Sequence, residues 1–415
     1  FNGSTQMSGF PLNMNATVVG SMAMSNLQGN SHFGFAASLS NNNLAAFNSA
    51  GQQLWSVPAG GNLRNGPVIA TLTDASAPKV IAITQNGQLQ VLNADGSSMT
   101  NFPASLTGTY LGPVAVADLN GDGKLEILAC SLTGNLNAID PLTGTNISGF
   151  PVSLTGGSQN AMTIANLDGD NHPEILIATS TSGFLYAINH DGSVLFQKTI
   201  GQQIKTSPVV ADVNNDGTKE IILITAPGNL HIMALTGVDN PGSPIAMSNP
   251  VECTPVVARF DGSNYAGIIF GDTTGLLHSV RMDGTESANF PVSVGGNMKI
   301  SAALGDIDAD GDFDIVIPNN EGIFVIDVKR PVQSIEWACY MGSYNRAGNI
   351  YQTTPTTDET ITPVVTELKG AFPNPFNPST TLSFSLKDAG DVALDIYNQK
   401  GQKVRNLVNG MMSSG

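Results

Sequence analysis

The stretch Asp118-Leu-Asn-Gly-Asp-Gly-Lys-Leu-Glu126 is an acidic loop that turns on glycine and runs directly into the apolar residues 127–130. Oxygen-bearing side chains occupy its positions 1, 3, 5 and 9, and we expect a left-handed backbone at position 6, where Gly or Asn stands. Such a loop can wrap a hard cation such as Ca²⁺. Three further stretches follow the same design: Asn166-Leu-Asp-Gly-Asp-Asn-His-Pro-Glu174, Asp212-Val-Asn-Asn-Asp-Gly-Thr-Lys-Glu220 and Asp306-Ile-Asp-Ala-Asp-Gly-Asp-Phe-Asp314.

An EF-hand is the first alternative for these loops. It closes its calcium site with a bidentate Glu at position 12 and carries a helix on each side. Here position 12 is apolar in every copy and lies in a strand-like run, as Ala129, Ile177, Leu223 and Ile317. The carboxylate at position 9 must therefore close the site, and position 7 offers only its backbone carbonyl.

The four loops predict about four Ca²⁺ sites. We expect the ion to be structural, because four side chains and a carbonyl leave little room for a substrate. The predicted ligand residues are Asp118, Asn120, Asp122, Lys124, Glu126, Asn166, Asp168, Asp170, His172, Glu174, Asp212, Asn214, Asp216, Thr218, Glu220, Asp306, Asp308, Asp310, Asp312 and Asp314.

Three degenerate copies of the loop extend the pattern to seven repeats. Position 1 recurs at steps of 45 to 48 residues, a period typical of solenoids, propellers and arrays. The copies that begin at Asn26, Thr71 and Arg259 lack the carboxylates, and Arg259 would repel a cation. We therefore expect no calcium in those three repeats.

Each repeat contains four short β-rich runs separated by Gly, Asn, Asp and Pro turns. Four antiparallel strands make one blade, and a closed ring of blades removes exposed sheet edges. We predict an all-β fold, a seven-bladed β-propeller of four-stranded blades over about residues 1–351. An eighth blade stays open, because Phe1 begins in mid-pattern and we expect further sequence upstream.

The net charge of −16 does not indicate a protein that binds polycations. Thirteen of the 33 acidic residues stand at ligand positions, and the remaining 20 nearly balance the 17 basic residues. No basic cluster indicates nucleic acid. Three cysteines give no disulfide framework, and no apolar run reaches the ~18 residues of a membrane span.

The chain changes character after the repeats. Residues 337–348 form an aromatic segment that we expect to plug against the last blade, and residues 352–370 have the Thr/Pro-rich composition of a linker. Residues 371–415 contain alternating strands at 382–386 and 392–396. They predict the N-terminal half of a small Ig-like β-sandwich module, which is too short to close its own core.

The repeats resemble the FG-GAP/VCBS family, whose calcium-binding blades form integrin-α-like propellers. The resemblance rests on the motif D-x-N/D-x-D-G-x-x-D/E before an apolar strand at the four loops. Ala226-Pro-Gly228 is also similar to the family's Gly-Ala-Pro turn. The resemblance covers about residues 8–350 and implies calcium-braced blades with a role in adhesion or recognition.

The C-terminal stretch resembles the FlgD-like, type IX secretion sorting modules of Bacteroidetes-type bacteria. Pro373-Asn-Pro-Phe-Asn-Pro-Ser379 and Asp395-Ile-Tyr-Asn-Gln-Lys-Gly-Gln402 carry this resemblance. Such tails direct export across the outer membrane, often with attachment at the cell surface. The resemblance thus implies an extracellular or cell-surface protein of a Gram-negative bacterium.

Enzymatic motifs are weakly represented. The five His residues form no His-Glu-x-x-His pattern, and no Gly-x-Ser-x-Gly elbow occurs. We interpret His172 and His278 as structural, and we expect a non-catalytic module that binds an unknown extracellular protein or polysaccharide. The alternative is an accessory propeller of a larger exported hydrolase or lyase whose catalytic part lies upstream of Phe1.

We expect a partner on the face opposite the calcium loops. In an antiparallel blade with strands A to D, the A–B and C–D turns share one face, and the B–C and D–A connections share the other. The D–A loops therefore lie together near the mouth of the central channel. The residues predicted to contact a partner there are Arg64, Tyr110, Gln159, Lys205, Glu252 and Lys299.

Overall fold

Each repeat forms an antiparallel sheet whose strands pair in chain order, so that one repeat corresponds to one blade. The computed structural model describes residues 12, 14–29, 32–73, 77–307, 312–330, 333–343, 346–348, 367–372, 381–385, 390–397 and 403–412. The chain divides into two units, residues 1–352 and 353–415. In the described part of the first unit seven such sheets follow one another, which confirms the predicted seven-bladed propeller.

Blades 1 to 4 each contain four strands, and the first strand lies at the inner edge of its sheet. This placement follows from packing, since the first strands of neighbouring blades contact one another. In blade 3 the first strand is Ala115-Val-Ala117, whose small, fully buried side chains fit the crowded centre of the ring. The strands are β1 (Val18–Ser25), β2 (Gly34–Leu39), β3 (Asn43–Phe47), β4 (Gln53–Pro58), β5 (Val68–Ala70), β6 (Lys79–Ile83), β7 (Gln88–Leu92), β8 (Ala104–Ser105), β9 (Ala115–Ala117), β10 (Glu126–Cys130), β11 (Asn135–Ile139), β12 (Val152–Ser153), β13 (Thr163–Ala165), β14 (Glu174–Ala178), β15 (Phe184–Ile188) and β16 (Val194–Thr199).

Blade 5 again contains four strands. Blade 6 has a fifth strand, and blade 7 shows three within the described residues, so the predicted four strands hold for blades 1 to 5. The strands are β17 (Val209–Ala211), β18 (Glu220–Ile224), β19 (Asn229–Met233), β20 (Ile245–Ala246), β21 (Val256–Arg259), β22 (Gly267–Gly271), β23 (Leu276–Val280), β24 (Val292–Ser293), β25 (Ala303–Gly305), β26 (Asp314–Pro318), β27 (Ile323–Asp327) and β28 (Ser334–Trp337). Strand β28 pairs with β21 because the innermost strand of a blade leaves one backbone edge free.

The hydrophobic core lies between neighbouring blades. Leu44 of blade 1 packs in one cluster with Ile69 of blade 2, and Leu185 of blade 4 packs with Ile221 of blade 5. The second strand of a blade is therefore covered on both faces and reads as a continuous apolar run, as β10 does after Glu126. Each buried Leu or Ile stabilises the ring by roughly 1.5–3 kcal/mol relative to exposure.

Residues 334–343 and 346–348, called here the channel segment, lie at the centre of the ring. After β28, the carbonyls of Ala338, Ala347 and Gly348 accept N–H groups from the innermost strands of blade 7 at 2.9 Å, blade 3 at 3.1 Å and blade 4 at 2.9 Å. The aromatic segment expected to plug against the last blade thus bonds to blades on several sides of the axis. The reason is that every innermost strand offers backbone groups toward the centre.

The second unit contains two antiparallel strand pairs among its described residues. Strand β29 (Glu367–Phe372) pairs with β30 (Thr381–Ser385), and β31 (Gly390–Tyr397) pairs with β32 (Lys403–Met412). Strand β29 begins inside the predicted linker, because the backbone pairing extends to Leu368 opposite Phe384. Residues 351–366, the motif at 373–380 and residues 398–402 lie outside the described residues.

All three cysteines are free thiols, and Cys130 in strand β10 and Cys253 ahead of β21 are buried. Burial raises the pKa of both thiols to about 12, so both are protonated at neutral pH. In the part of the chain that the structure describes, no helix has the length and apolarity needed to cross a membrane.

Candidate metal centre and channel mouth

The predicted cation loops join the first and second strands of their blades. They are numbered here by blade, as loop 3 (118–126), loop 4 (166–174), loop 5 (212–220) and loop 7 (306–314). In loop 4 the structure brings Asp168, Asp170 and Glu174 together, with one oxygen of each carboxylate within 4.8 Å of the others. Asp168 and Asp170 are exposed, whereas Glu174 is fully buried. Loop 4 is therefore a candidate metal centre.

Glu174 supplies the test of whether a cation fits this cluster. Its Oε2 accepts the N–H of Leu167 at 2.6 Å, while its Oε1 is buried and has no hydrogen-bond partner. A buried carboxylate oxygen without a donor is costly, and a cation beside two further carboxylates would satisfy it. Because all the donors are oxygens, the cluster suits a hard ion such as Ca²⁺ or Mg²⁺.

The hydrogen bond that closes loop 4 recurs in the other three loops. In each one the carboxylate at position 9 is buried and accepts the N–H of position 2. The bonds run from Leu119 to Glu126 at 2.8 Å, from Val213 to Glu220 at 3.1 Å and from Ile307 to Asp314 at 2.7 Å. The carboxylate at position 9, which was predicted to close the site, therefore makes the same hydrogen bond in all four loops.

Burial raises the pKa of Glu126, Glu174 and Glu220 to about 7 each. Neighbouring Asp carboxylates raise it further, and the closing N–H bond lowers it. Burial removes the charged carboxylate from water, and no positive charge is among the groups that offset this effect. A bound cation would supply that charge and hold the three groups ionised.

Backbone N–H groups hold the loops in shape. Asp118 at position 1 of loop 3 accepts the N–H groups of Gly121, Asp122 and Gly123 at 2.8 to 3.1 Å. Gly123 at position 6 has φ 81°, as expected. Position 4 is also left-handed, with φ 74° at Gly121. A left-handed position 6 is not general, because Asn171 of loop 4 is not among the residues with positive φ.

Loops 3 and 5 differ from loop 4 in how the buried Glu is satisfied. The amide Nδ2 of Asn120 donates to Glu126 Oε1 at 3.2 Å, and that of Asn214 donates to Glu220 Oε1 at 3.1 Å. In loop 3 the Lys124 ammonium also pairs with Asp122 at 2.9 Å. These amide and ammonium groups donate to carboxylate oxygens whose counterparts in loop 4 have no such donor. Loop 7 offers no such comparison, since Asp308 and Asp310 lie outside the described residues.

The three degenerate loops place other groups where loop 4 has Glu174. Position 9 is Gly34 in blade 1, Lys79 in blade 2 and Gly267 in blade 6. In blade 6 the carboxylate of Asp261 at position 3 pairs with the guanidinium of Arg281, which donates from Nε at 3.1 Å and from Nη2. Positively charged side chains, Lys79 in blade 2 and Arg281 in blade 6, thus lie at two of the loops expected to lack calcium.

Arg259 was expected to repel a cation from its own loop, and the structure directs its side chain elsewhere. Its guanidinium donates to Oδ1 of Asn215 at 2.8 Å and to the carbonyl of Asp212 at 3.2 Å, both in loop 5. Arg259 therefore links the loops of neighbouring blades.

His172 makes a similar link between loops 4 and 3. Its Nδ1 lies 3.1 Å from the carbonyl of Leu119, which can only accept, so Nδ1 carries the hydrogen. Elsewhere in the ring a backbone N–H makes this bond, as from Ala266 to Val213. Pro173 has no N–H to donate, and the imidazole replaces it. The contact supports the interpretation of His172 as structural.

The D–A loops on the other face bring three of the predicted partner residues into one ion-pair cluster. Glu252 pairs with Lys205 at 2.5 Å and with Lys299 at 3.0 Å, and these ion pairs, together with the hydrogen bond from Lys205, lower the pKa of Glu252. Gln159 lines the same cavity, which has a volume of about 220 Å³ at the channel mouth. The cavity thus brings together predicted residues from the loops that precede blades 4 to 7.

Tyr110 and Arg64 do not join this cluster. Tyr110 is 1% exposed, and its hydroxyl donates to Thr107 and accepts from Asn137, so it cannot contact a partner directly. The sequence signal for its burial is its repeat position, which aligns with the buried Ile204 and Val251. Arg64 is exposed on the same face outside the cavity wall. The cavity wall also includes Arg346, which the repeat pattern did not reveal.

Comparisons with known proteins agree with this geometry. The family model of the FG-GAP-like repeat matches residues 166–223, a stretch that begins at loop 4 and includes loop 5. None of the curated proteins matches the chain.

Solved structures show similarity in fold. The Dos1 propeller matches with a TM-score of 0.52 at 13% identity, covering 78% of this chain and 81% of that one. BamB from Moraxella catarrhalis matches with a TM-score of 0.51 at 16% identity, covering 76% and 86%. BBS1N, solved in complex with ARL6DN, matches with a TM-score of 0.50 at 12% identity, covering 77% and 93%. At such identities the likeness shows the fold alone. The chain is a seven-bladed β-propeller that contains an FG-GAP-like repeat.

Proposed function

We propose that this chain is a calcium-braced recognition module that binds an extracellular protein or glycan without transforming it. The observation that carries the proposal is the polar cavity at the channel mouth, to which loops from several blades contribute side chains. The candidate metal loops lie at the opposite ends of the strands, so the ion braces the blades and the other face stays free for a ligand.

We assign Ca²⁺ to loops 3, 4, 5 and 7. The support is the shared closing carboxylate, the oxygen-only ligand sets and the match of the FG-GAP-like repeat across loops 4 and 5. When bound, the ion neutralises the buried Glu and holds two strands together.

The same proposal gives the C-terminal unit a role in export and surface attachment, on the strength of its sequence motifs. Removing residues 353–415 from the exported protein should leave it in the periplasm, as measured by fractionation and immunoblotting. Export of the shortened protein at the parent level would contradict this role.

The recognition role is tested with the full chain in millimolar calcium over immobilised neutral and acidic polysaccharides and matrix proteins. A variant with Gln159→Ala, Lys205→Ala and Lys299→Ala should lose the binding that the parent shows. A control with Leu142→Ala, Thr143→Ala and Val238→Ala changes exposed C–D turns on the opposite face and should bind as the parent does. Equal binding by both variants, or turnover of a bound polysaccharide, would contradict the proposal.

A further inference from the structure

Arg346 is a buried positive charge within the channel segment. Its side chain is 3% exposed, and its Nη1 donates to the carbonyls of Ser21 at 2.7 Å and Pro67 at 3.3 Å. Its guanidinium lies 5.3 Å from the centre of the Tyr340 ring, and its Nε has no hydrogen-bond partner. Carbonyls and a ring face provide only partial negative charge.

No carboxylate among the described residues pairs with Arg346. Burying an ion without a counter-ion costs several kcal/mol, and Arg keeps its charge even when buried. The fold therefore keeps an uncompensated guanidinium at the centre of the ring.

Arg346 forms part of the wall of the cavity at the channel mouth. Lys205 and Lys299 line the same cavity and share the single carboxylate of Glu252. Three positively charged side chains thus surround the cavity against one acid, in a chain of net charge −16. Lys205 and Lys299 are partly exposed, so they can turn toward a ligand, whereas Arg346 is fixed by its backbone partners.

We propose that this cavity binds an oxyanion, either free or carried by an acidic sugar of a glycan. The inference rests on the proposed function, because it assigns a ligand class to the same face. Guanidinium and ammonium groups donate charge-assisted hydrogen bonds to carboxylate and sulfate oxygens. The volume of about 220 Å³ corresponds to roughly seven waters at ~30 Å³ each, enough for one small anion or one sugar ring.

The test is isothermal titration calorimetry of the full chain in calcium with three probes, namely sodium glucuronate, sodium sulfate and glucose. We expect an anion to bind and glucose to give no heat. The variant Lys205→Gln/Lys299→Gln should lose affinity for the anion about tenfold. The matched control Arg64→Gln removes a positive charge from the same face outside the cavity and should stay within about twofold of the parent.

The outcomes separate the sources of the oxyanion. Glucuronate that binds about tenfold more tightly than sulfate identifies an acidic sugar, and equal binding identifies a free oxyanion. A second variant, Arg346→Met, should also lose binding if its melting curve shows that it folds, while Arg346→Lys should retain part of it.

The inference is overturned if neither anion binds, if the Lys205→Gln/Lys299→Gln variant binds as the parent does, or if glucose binds as well as glucuronate. Capture of a neutral glycan or a protein that is lost in the alanine variant of the previous subsection would keep the recognition role and overturn the oxyanion assignment. Absence of any ligand in both experiments would overturn both.

Discussion

Loop 4 and its counterpart in blade 6, residues 259–267, occupy the same place in the repeat but balance their acidic groups in different ways. Loop 4 gathers Asp168, Asp170 and Glu174 and leaves one buried carboxylate oxygen without a donor. The blade 6 loop keeps one carboxylate, Asp261, and pairs it with Arg281 from the next turn of the same blade.

The difference lies in the source of positive charge beside the acidic groups, which in blade 6 is a side chain of the protein itself. In blade 6 the positive charge is the guanidinium of Arg281. Gly267 stands where loop 4 has Glu174. A side chain at Gly267 would collide with Ser279, so this loop has no space for a ninth-position carboxylate. Under the proposed function, loop 4 would instead rely on an ion that can be removed.

Calcium removal should give the largest effect that separates the two kinds of blade. Each occupied loop gains about 2.7 kcal/mol at a calcium concentration 100 times its Kd, so four loops together contribute on the order of 10 kcal/mol. We expect a large fall in melting temperature when EGTA replaces millimolar calcium, measured by circular dichroism on the full chain. Equal melting curves would show that the loops are turns without an ion.

Breaking the ion pair between Arg281 and Asp261 in blade 6 should give the next largest effect. Arg281→Gln leaves the largely buried carboxylate of Asp261 without its partner, which costs about 3 kcal/mol of unfolding free energy. Because no metal takes part, the loss should be the same in calcium and in EGTA, as measured by urea unfolding. A loss that calcium repairs would show that Arg281 merely replaces an ion that the blade can still bind.

Removing one ligand of loop 4 should have a smaller, calcium-dependent effect. Glu174→Gln withdraws the closing carboxylate, and the variant should lose about one site's share of stability, ~2.7 kcal/mol under the same conditions, in calcium only. The control Asp191→Asn changes an exposed acid of the same blade outside the loop and should keep the full calcium response. A Glu174→Gln variant that responds to calcium as the parent does would exclude loop 4 as a site.

The smallest expected effect is the pH dependence that His278 of blade 6 contributes in millimolar calcium, where the bound ion keeps the Glu carboxylates of the loops ionised. Burial lowers the pKa of His278, but the carboxylates of Glu286 at 2.7 Å and Asp272 at 3.4 Å outweigh it, so the net shift is upward. Because the folded pKa lies above the unfolded value of about 6.5, the protonated His stabilises the fold at lower pH, and this contribution is lost as pH rises through the folded pKa.

Urea unfolding at pH 6, 7 and 8 tests this dependence on pH. The parent should lose this increment with rising pH, and His278→Gln should lack that component. His190→Gln is the control for removal of an imidazole from another blade. An unchanged slope in His278→Gln would assign the pH dependence to other groups.

The blades and the cation loops were predictable from the sequence because both are local and repeated. The carboxylate at position 9 lies seven residues after its N–H partner, so a single loop contains the geometry, as in Leu119 and Glu126. The grouping of Lys205, Glu252 and Lys299 followed from the repeat period, since equivalent residues of neighbouring blades lie side by side.

Long-range partners were not predictable in this way. Arg281 is 20 residues from Asp261 in another turn, and no spacing rule connects them. Tyr110 stands one position before the repeat equivalent of Lys205 and aligns with the buried Ile204, so its ring turns into the blade, where burial is more favourable than exposure. Strand β28 lies outside the repeat pattern, and its pairing with β21 depends on the closed ring.

The channel segment has a consequence for how this chain reaches its native state. Arg346 donates to the carbonyl of Ser21, a residue 325 positions earlier, and the same segment bonds to innermost strands that fold from distant parts of the sequence. Such non-local contacts slow folding, because the chain must lose the entropy of loop closure before these contacts can form and stabilise the fold. The channel segment is synthesised after all seven blades. Assembly of the ring therefore finishes only after synthesis of residue 348. A chain truncated after residue 333 should form blades but lack the hydrogen bonds of the channel segment that hold the blades together.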